Sequence, residues 1–240
     1  MMSVVFSLVS HGQLQLIRDF LSDYRRLALH RFPIVLTLNI PEDESVLGDF
    51  SDLPITVLRN SAPKGFGDNH NAAFEALESC FFVVINPDIR LPSLQMDLLL
   101  APFDDESIGA VAPIVLDGTG IPQDSVRRFP TVARLARRAL LGRRASDYVW
   151  QDAPVEVDWA AGMFVVFRSA AFRRVDGFDV RYFMYMEDAD ICRRLRRIGL
   201  RTILCPPVSV IHEARRASRR ELRHLRWHLV SAFRFLFLTR

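Results

Sequence analysis

The 240-residue chain is short of several things. Lysine is almost missing: of the 31 basic residues only Lys64 is a lysine and the rest are arginines. A uniform preference for one base names no partner by itself, so the positions of the arginines carry the information, and they are densest after Arg127. Cysteine is scarce and odd in number: Cys80, Cys192 and Cys205 have no metal-ligand spacing. That excludes a disulfide framework and a zinc module and favours a reducing compartment. No run approaches the roughly 18 apolar residues of a membrane-spanning helix. The opening MMSVVFSLVSHGQ lacks the basic segment of a secretory leader, so Val4–Val9 reads as a strand. The expectation is a cytoplasmic chain that touches a membrane surface, on its inner face, without crossing it. Large charge is lacking too. The net charge is +3 and aromatic residues are not interleaved with the arginines, so nucleic acid is not an expected partner.

Half of the residues are hydrophobic and a quarter charged, the mixture of an ordinary globular domain. The first half alternates between two periods. Val4–Val9, Ile34–Leu38, Ile55–Leu58 and Phe81–Ile85 are short apolar runs bounded by turn residues, the pattern of buried parallel strands. Between them, Leu14, Ile17, Phe20 and Leu21 share one helical face, and Ala73, Phe74 and Leu77 share another. Asp68 or Asn69 is placed to cap the second helix, after the Gly65–Gly67 turn. Such alternation predicts an α/β fold with a mostly parallel sheet flanked by helices. Ligands of these sheets sit beyond the carboxyl ends of the strands, here Ser10–Gly12, Asn39–Asp43, Arg59–Gly67 and Asn86–Asp88.

The second half is less regular. Asp117–Pro130 reads as a loop, Thr131–Leu141 as a short basic helix, and Val155–Asp158 and Phe164–Arg168 as strands around a turn at Trp159–Gly162. Glu187–Ile198 begins with carboxylates and continues with arginines, the order a helix dipole favours. Thr202–Leu204 and Val208–Ile211 read as two strands ending at His212, and from Ala214 a basic amphipathic helix runs to residue 240. There is no internal repeat and no linker. A single domain over 1–213 is expected, with 1–112 binding a nucleotide, 113–213 facing an acceptor, and 214–240 forming the terminal helix.

Six constellations could carry chemistry or binding, and each is weighed against a plain structural reading. Asn86-Pro87-Asp88 emerges from the most apolar strand, where Asp88 either binds a divalent cation or caps a turn. Glu187-Asp188-Ala189-Asp190 places three carboxylates at a helix start, more than capping needs. One could serve as a general base while another pairs with Arg193 or Arg194. His212 closes the last strand as a structural residue or a ligand. Gly65-Phe66-Gly67, with Asn69 and Asn71 after it, is a tight turn that could bring backbone to a nucleotide, though it fits neither the P-loop nor the dinucleotide fingerprint. The arginines from Arg127 and Arg128 to Arg144 would clamp a phosphate or form a solvated surface. In the tail, Leu222, Leu225, Leu229, Phe233 and Leu236 at helical spacing, with Arg219, Arg220, Arg223 and Arg226 around them, would pack on the domain or lie on an anionic bilayer.

Taken in order, RNSAPKGFGDNHNAAF, VVINPDIRL, VDWAAGMFVVFRSAAFRRVDGFDVRYFMYMEDADICRRLRRIG and the final VIH resemble the family 2 nucleotide-sugar glycosyltransferases. These are inverting enzymes of the GT-A fold, and the likeness spans nearly the whole chain. Within the family the chain looks most like bacterial rhamnosyltransferase-type enzymes of cell-surface polysaccharide assembly. The resemblance implies roles. Asp88 would hold Mg²⁺ or Mn²⁺ on the donor diphosphate, with His212 completing the metal site. Asp188 would deprotonate the acceptor hydroxyl, with Glu187 as an alternative base or orienting group. Ser10, Asn39, Gly65, Gly67, Asn69, Asn86 and Arg128 would surround the nucleotide sugar, and Trp159 and Gly162 would border the sugar and acceptor. It also implies a nucleotide-sugar donor, dTDP-L-rhamnose, and a lipid-linked or glycan acceptor.

The sequence departs from the family pattern in three places. Asn39-Ile40-Pro41-Glu42 stands where many relatives have a base-reading Asp, Asn86 replaces the first acid of the metal motif, and Asp176-Gly177-Phe178-Asp179-Val180 replaces Gly-Gly-Phe-Asp-Glu. These leave the nucleobase and the strictness of metal dependence open. The rival reading is a catalytically silent sugar-nucleotide-binding or scaffold protein of the same assembly complex, against which intact Asp88, Asp188 and His212 count. A nucleotidyltransferase would need a Gly-rich basic loop after the first strand, which Ser10-His11-Gly12-Gln13 does not supply.

Overall fold

The computed structural model describes residues 3–141, 147–213 and 222–238. Arg143, Arg144, the expected helix start at Ala214, and Arg219 and Arg220 lie outside them. The chain runs β1 (Val4–Ser10), α1 (Leu14–Arg26), β2 (Ile34–Leu38), α2 (Ser45–Gly48), β3 (Ile55–Arg59), α3 (Phe66–Ala76), β4 (Phe81–Ile85) and β5 (Ile89–Arg90). It continues through α4 (Met96–Leu100), β6 (Ile108–Leu116), β7 (Val126–Arg127), α5 (Val132–Leu141), β8 (Val155–Val157), β9 (Trp159–Ala160), β10 (Phe164–Arg168) and α6 (Ser169–Arg174). It ends with α7 (Glu187–Arg197), β11 (Arg201–His212) and α8 (Leu222–Phe233), which widens into a π-helical turn at Arg234–Leu238.

The main sheet has the order β3-β2-β1-β4-β10-β6-β11-β5, with β8 added to β11. β1 to β4 are mutually parallel, as their continuous apolar runs require, because both faces of the sheet are covered. Alternation along β4 divides the core. Phe81, Val83 and Ile85 pack with Phe6, Phe20 and Tyr24 under α1, while Phe82 and Val84 pack with Phe74, Phe172 and Phe178 under α3 and α6. Truncating one of these rings to alanine costs about 3–5 kcal/mol, so this sandwich holds the frame on which the site rests.

The second half makes the sheet mixed. β10 is antiparallel to both β4 and β6, and β6 is parallel to β11. β6 therefore runs in the same direction as β4, and the carboxyl end of β11 arrives at the edge where β1 to β4 end. The sequence reading names no strand at Ile108–Leu116, a run that contains Gly109 and Pro113. The structure accommodates both. A Cβ on Gly109 would sit 3.1 Å from the Leu200 Cβ, so the glycine admits the α7–β11 turn. Pro113 pairs with Cys205 just before the register of β11 shifts, and such irregular positions are where a strand tolerates proline.

Other boundaries change as well. Thr202–Leu204 and Val208–Ile211 are one strand, β11, bent at Pro206-Pro207. The expected Trp159–Gly162 turn contains β9, which pairs with β7 inside the expected Asp117–Pro130 loop. α3 starts one turn earlier than a cap at Asp68 or Asn69 requires: Gly65 is its N-cap, and Asn69 in the first turn donates to the Gly65 carbonyl at 3.0 Å. Among the described residues no helix is long and apolar enough to cross a membrane.

Candidate active site

Three chain segments meet at the carboxyl edge of the sheet, and hydrogen-bond register explains each meeting. β5 follows Asp88 directly and pairs antiparallel with the end of β11, setting His212 opposite Ile89. The Glu213 amide closes the junction by donating to the Asp88 carbonyl at 3.0 Å. From below, Asp23 of α1 holds β5 in place through Arg90 at 2.8 Å and the Leu91 amide at 3.0 Å. β10 enters from the same edge, with Phe164 opposite Ile85 and the Asn86 amide donating to the Met163 carbonyl at 2.9 Å. Gly162, just before β10, donates its N–H to Asp188 Oδ2 at 3.2 Å. Asp88, His212, Gly162 and Asp188 are thus gathered at one edge from β4, β11, β10 and α7.

The Asp88–His212 pair has the donor chemistry of a cation site. Asp88 Oδ1 lies 3.1 Å from His212 Nε2, and both side chains are mostly buried. Gln123 fixes the ring: its amide nitrogen donates to the His212 carbonyl at 3.0 Å, which turns its oxygen toward Nδ1, also at 3.0 Å. Nδ1–H therefore donates to Gln123, and Nε2 is left facing a carboxylate oxygen that has no hydrogen-bond donor. Two ligand atoms on adjacent positions of an octahedral ion, each about 2.0–2.1 Å from it, stand about 3 Å apart. The residues present therefore fit a hard divalent ion. Among the described residues no cluster of three or more metal-ligating side chains exists. A bound ion would take its remaining ligands from phosphate oxygens and water, the usual habit of Mg²⁺.

Of the three carboxylates at the start of α7, Asp190 is the structural one. It is buried between Arg193 at 3.2 Å and Arg194 at 2.7 Å, the i+3 and i+4 partners expected on a helix. Glu187 is buried, and its Oε2 has no hydrogen-bond partner. Burial pushes its pKa well above the ordinary carboxylate value, and the adjacent Asp188 charge adds to the rise. Asp188 is also pushed up by burial, but the Gly162 and Ala189 amides and the Arg127 guanidinium pull it back. Of the two, Asp188 is the one whose ionised form has partners, in the Gly162 and Ala189 amides. The backbone leading to them is strained: Tyr185 and Met186 have φ of +71° and +67°, left-handed values rare for such side chains. Strain of this kind concentrates at functional sites.

The arginines divide by position. Arg127 lies over the Trp159 ring at 5.1 Å and pairs with Asp124 at 3.1 Å, within charge range of Asp188. Arg128 stacks 5.3 Å above Tyr148. Trp159 is buried, its Nε1 donating to the Arg128 carbonyl at 3.1 Å, so it braces the arginine strand from behind.

Several residues expected to touch a nucleotide are engaged inside the fold instead. Asn39, Asn60 and Asn69 form one network: Asn60 donates to Asn39 at 2.9 Å and to Asn69 at 2.6 Å, while Asn39 brackets Lys64 through its N–H and carbonyl. Their amides fix the 60–65 loop. Gly65 and Gly67 are buried packing positions. A Cβ on Gly65 would meet the Phe183 carbonyl oxygen at 2.7 Å, and one on Gly67 would meet the Phe178 Cβ at 2.5 Å. They let α3 approach the 178–183 segment. Gly162 remains partly exposed, with the Phe66 ring filling its missing side chain at 2.8 Å. Ser10 is buried and donates to Glu42 at 2.9 Å. Glu42 also accepts from the Gly12 amide at 2.9 Å and the Leu14 amide at 3.1 Å, and so caps α1. Sequence reasoning missed Glu42, Gln123 and the left-handed Tyr185–Met186 pair. Only Glu42 had a signal, as an acid facing a helix start that has none of its own.

Comparisons with known proteins identify the family and the fold. A family model described as glycosyltransferase like family 2 matches residues 33–229. The rhamnosyltransferase WbbL of Escherichia coli (strain K12) is 32% identical over 187 residues, covering 72% of this chain and 70% of that protein. An N-acetylglucosaminyl-diphospho-decaprenol L-rhamnosyltransferase of Mycobacterium tuberculosis is 34% identical over 165 residues, covering 64% of this chain and 54% of that protein. This chain thus spans little more than half of the mycobacterial relative. Among solved structures, GalNAc-T7 with UDP, GalNAc and Mn²⁺ superimposes with a TM-score of 0.69 at 17% identity, covering 90% of this chain and 44% of that one. The mannosyltransferase PcManGT of Pyrobaculum calidifontis, with GDP-Man and Mn²⁺, has a TM-score of 0.64 at 18% identity, covering 97% and 63%. At those identities the likeness shows the shared GT-A fold.

Proposed function

This chain is a member of glycosyltransferase-like family 2, and from that premise we propose that it moves a sugar from a nucleotide donor to a hydroxyl of a lipid-linked glycan, inverting the anomeric carbon. The names of the two curated relatives favour L-rhamnose as the sugar, with dTDP as its carrier. The nucleotide would lie over the 1–112 part and the acceptor over 113–213. The observation that carries this reading is the convergence at one sheet edge of the Asp88–His212 pair and an Asp188 held by Gly162.

The chemistry then follows from the residues. The acceptor oxygen forms a bond to the anomeric carbon as the bond from that carbon to the diphosphate oxygen breaks. An alcohol is too weak an acid to ionise beforehand, so a base must take its proton as the bond forms. Asp188 is that base, its pKa raised by burial and its carboxylate held by the Gly162 and Ala189 amides. Glu187, buried beside it, is the alternative base. Negative charge on the leaving diphosphate is met by Arg128, with Arg127 behind it. Asp88 and His212 would hold Mg²⁺ or Mn²⁺, which supplies Lewis-acid stabilisation of that charge. One base opposite the leaving group gives inversion.

A membrane surface supports the acceptor's side of this reading. The outer face of α8 exposes Leu225, Leu229 and Phe233 at 56–60%, beside Arg223 and Arg226. Apolar groups flanked by arginines suit an anionic lipid surface. The deciding experiment measures nucleoside diphosphate release from dTDP-, UDP- and GDP-sugars with Mn²⁺ and a soluble diphospholipid-glycan analogue. Acceptor-dependent release with one donor is expected, and release with none would refute the reading.

A further inference from the structure

We propose that His224 and Ser231 of α8 are positioning residues, tethering the strained pair Tyr185–Met186 from which Glu187 and Asp188 project. The inference rests on the transferase reading of those two carboxylates.

The strain is local and consecutive. Tyr185 and Met186 both adopt left-handed backbone, and Met186 is the N-cap of α7, its carbonyl accepting from the Asp190 amide at 2.8 Å. The direction in which α7 starts, and so where both carboxylates point, is set by these two residues. Neither is a glycine or an asparagine, so nothing intrinsic favours the conformation. Such backbone persists only where its surroundings hold it.

α8 supplies the hold on both sides. Upstream of Met186, the Tyr185 hydroxyl and His224 Nδ1 are hydrogen-bonded at 2.9 Å, and the Ser231 hydroxyl donates to the Met184 carbonyl at 2.8 Å. Rings back these bonds: Phe183 against Trp227 at 4.9 Å and Tyr185 against His228 at 5.4 Å. Downstream, Arg193 of α7 donates to the Phe235 carbonyl at 2.9 Å and lies over that ring at 3.8 Å. His224, Trp227, His228, Ser231 and Phe235 recur at helical spacing, so one face of the helix makes every contact. The opposite face carries Leu225, Leu229 and Phe233. The terminal helix therefore does more than cover the domain: its inner face splints the segment that presents the base.

The test uses the full chain and the variants His224→Phe, Ser231→Ala, their combination, and His224→Asn. Phenylalanine keeps the ring contacts with Tyr185 and Trp227 and removes the nitrogen, whereas asparagine restores a polar atom near Nδ1. Small misplacements of catalytic groups cost on the order of 10- to 100-fold. The combined variant should lose about that much kcat while donor KM stays within about twofold. Amide exchange at 184–189 should quicken while β1 and β4 keep their protection, and His224→Asn should recover most of the loss. Unchanged exchange and kcat would overturn the proposal, as would a loss of protection spread over the whole sheet, which would make α8 a general brace. Ser231→Ala alone, the mildest change, gives the same readouts if the combination does not fold. A wild-type chain inactive with every donor, but with the local exchange effect intact, would sink the transferase reading and leave the tether standing.

Discussion

Replacing Asp188 by asparagine separates binding from chemistry. The wild-type carboxylate accepts from the Gly162 amide at 3.2 Å and the Ala189 amide at 2.8 Å through different oxygens. Asparagine keeps one acceptor and turns an NH₂ toward the other amide, leaving one backbone donor unsatisfied. That costs about 1–3 kcal/mol, which a domain stable by about 5–15 kcal/mol survives. The groups assigned to the donor, Asp88, His212 and Arg128, are untouched, so donor affinity should hold. The acceptor proton, however, loses its destination. A positioned general base is worth about 10²–10⁴ in rate, or about 2.7–5.5 kcal/mol at 1.36 kcal/mol per decade. Steady-state release of nucleoside diphosphate with a soluble acceptor, beside donor binding followed by fluorescence, gives both numbers. A kcat within threefold of wild type would refute the assignment. A collapse of donor affinity would move Asp188 to the donor side of the site.

Three further outcomes follow from the same geometry. Glu187 has a folded pKa raised above its ordinary 4.5 by burial and by Asp188. Its contribution to stability is therefore fully present in acid and declines as pH rises from that ordinary value toward the folded one, by about 1.4 kcal/mol for each pH unit between the two. Glu187→Gln should melt higher than wild type at pH 8 and lose that advantage near pH 4. A lower melting temperature at every pH would contradict this. Gly67→Ala should cost about 1–3 kcal/mol by overpacking, because its Cβ would meet the Phe178 Cβ at 2.5 Å. Donor affinity of the folded protein should be unaltered, and weakened donor binding at unchanged stability would restore the glycine to the nucleotide site. Gln123→Leu releases the His212 ring and should raise the Mn²⁺ concentration for half-maximal activity by about 10- to 100-fold, with kcat recovered at saturating metal. An unchanged Mn²⁺ titration would remove His212 from the ligand set.

The parallel half of the fold was legible because β1 to β4 write their burial directly into sequence as continuous apolar runs with turn residues between them. The mixed half was not. β6 carries Gly109 and Pro113, which local rules read as breaks, and only tertiary context makes them useful, one admitting Leu200 and the other sitting at a shift in register. β7 and β9 are two residues each, too short for any periodicity to appear. The packing role of the glycine turn was hidden for a related reason. Glycine marks close approach of backbone, but sequence does not say what approaches, and at Gly65 and Gly67 it is Phe183 and Phe178 of this same chain.

The site itself was half readable, and the division follows from what each residue depends on. Asp88 and His212 stand at strand ends, where polar residues after apolar runs announce themselves, and parallel topology carries both to one edge. The surplus of acids at Glu187-Asp188-Ala189-Asp190 was visible as a surplus, and helical spacing correctly offered arginine partners to one of them. That spacing singles out Asp190, whose i+3 and i+4 neighbours are Arg193 and Arg194, but says nothing of how Glu187 and Asp188 are directed. Their direction is set by Tyr185 and Met186, whose left-handed backbone sets how α7 begins, and nothing in a tyrosine or a methionine signals it. A conformation disfavoured by its own residues has to be imposed from outside. The imposing contacts come from His224 and Ser231, 39 and 47 residues beyond the groups they hold. On the proposed reading of Asp188 as the base, its placement is therefore a long-range property: the acid is encoded locally, and its direction is encoded in the helix that packs against it.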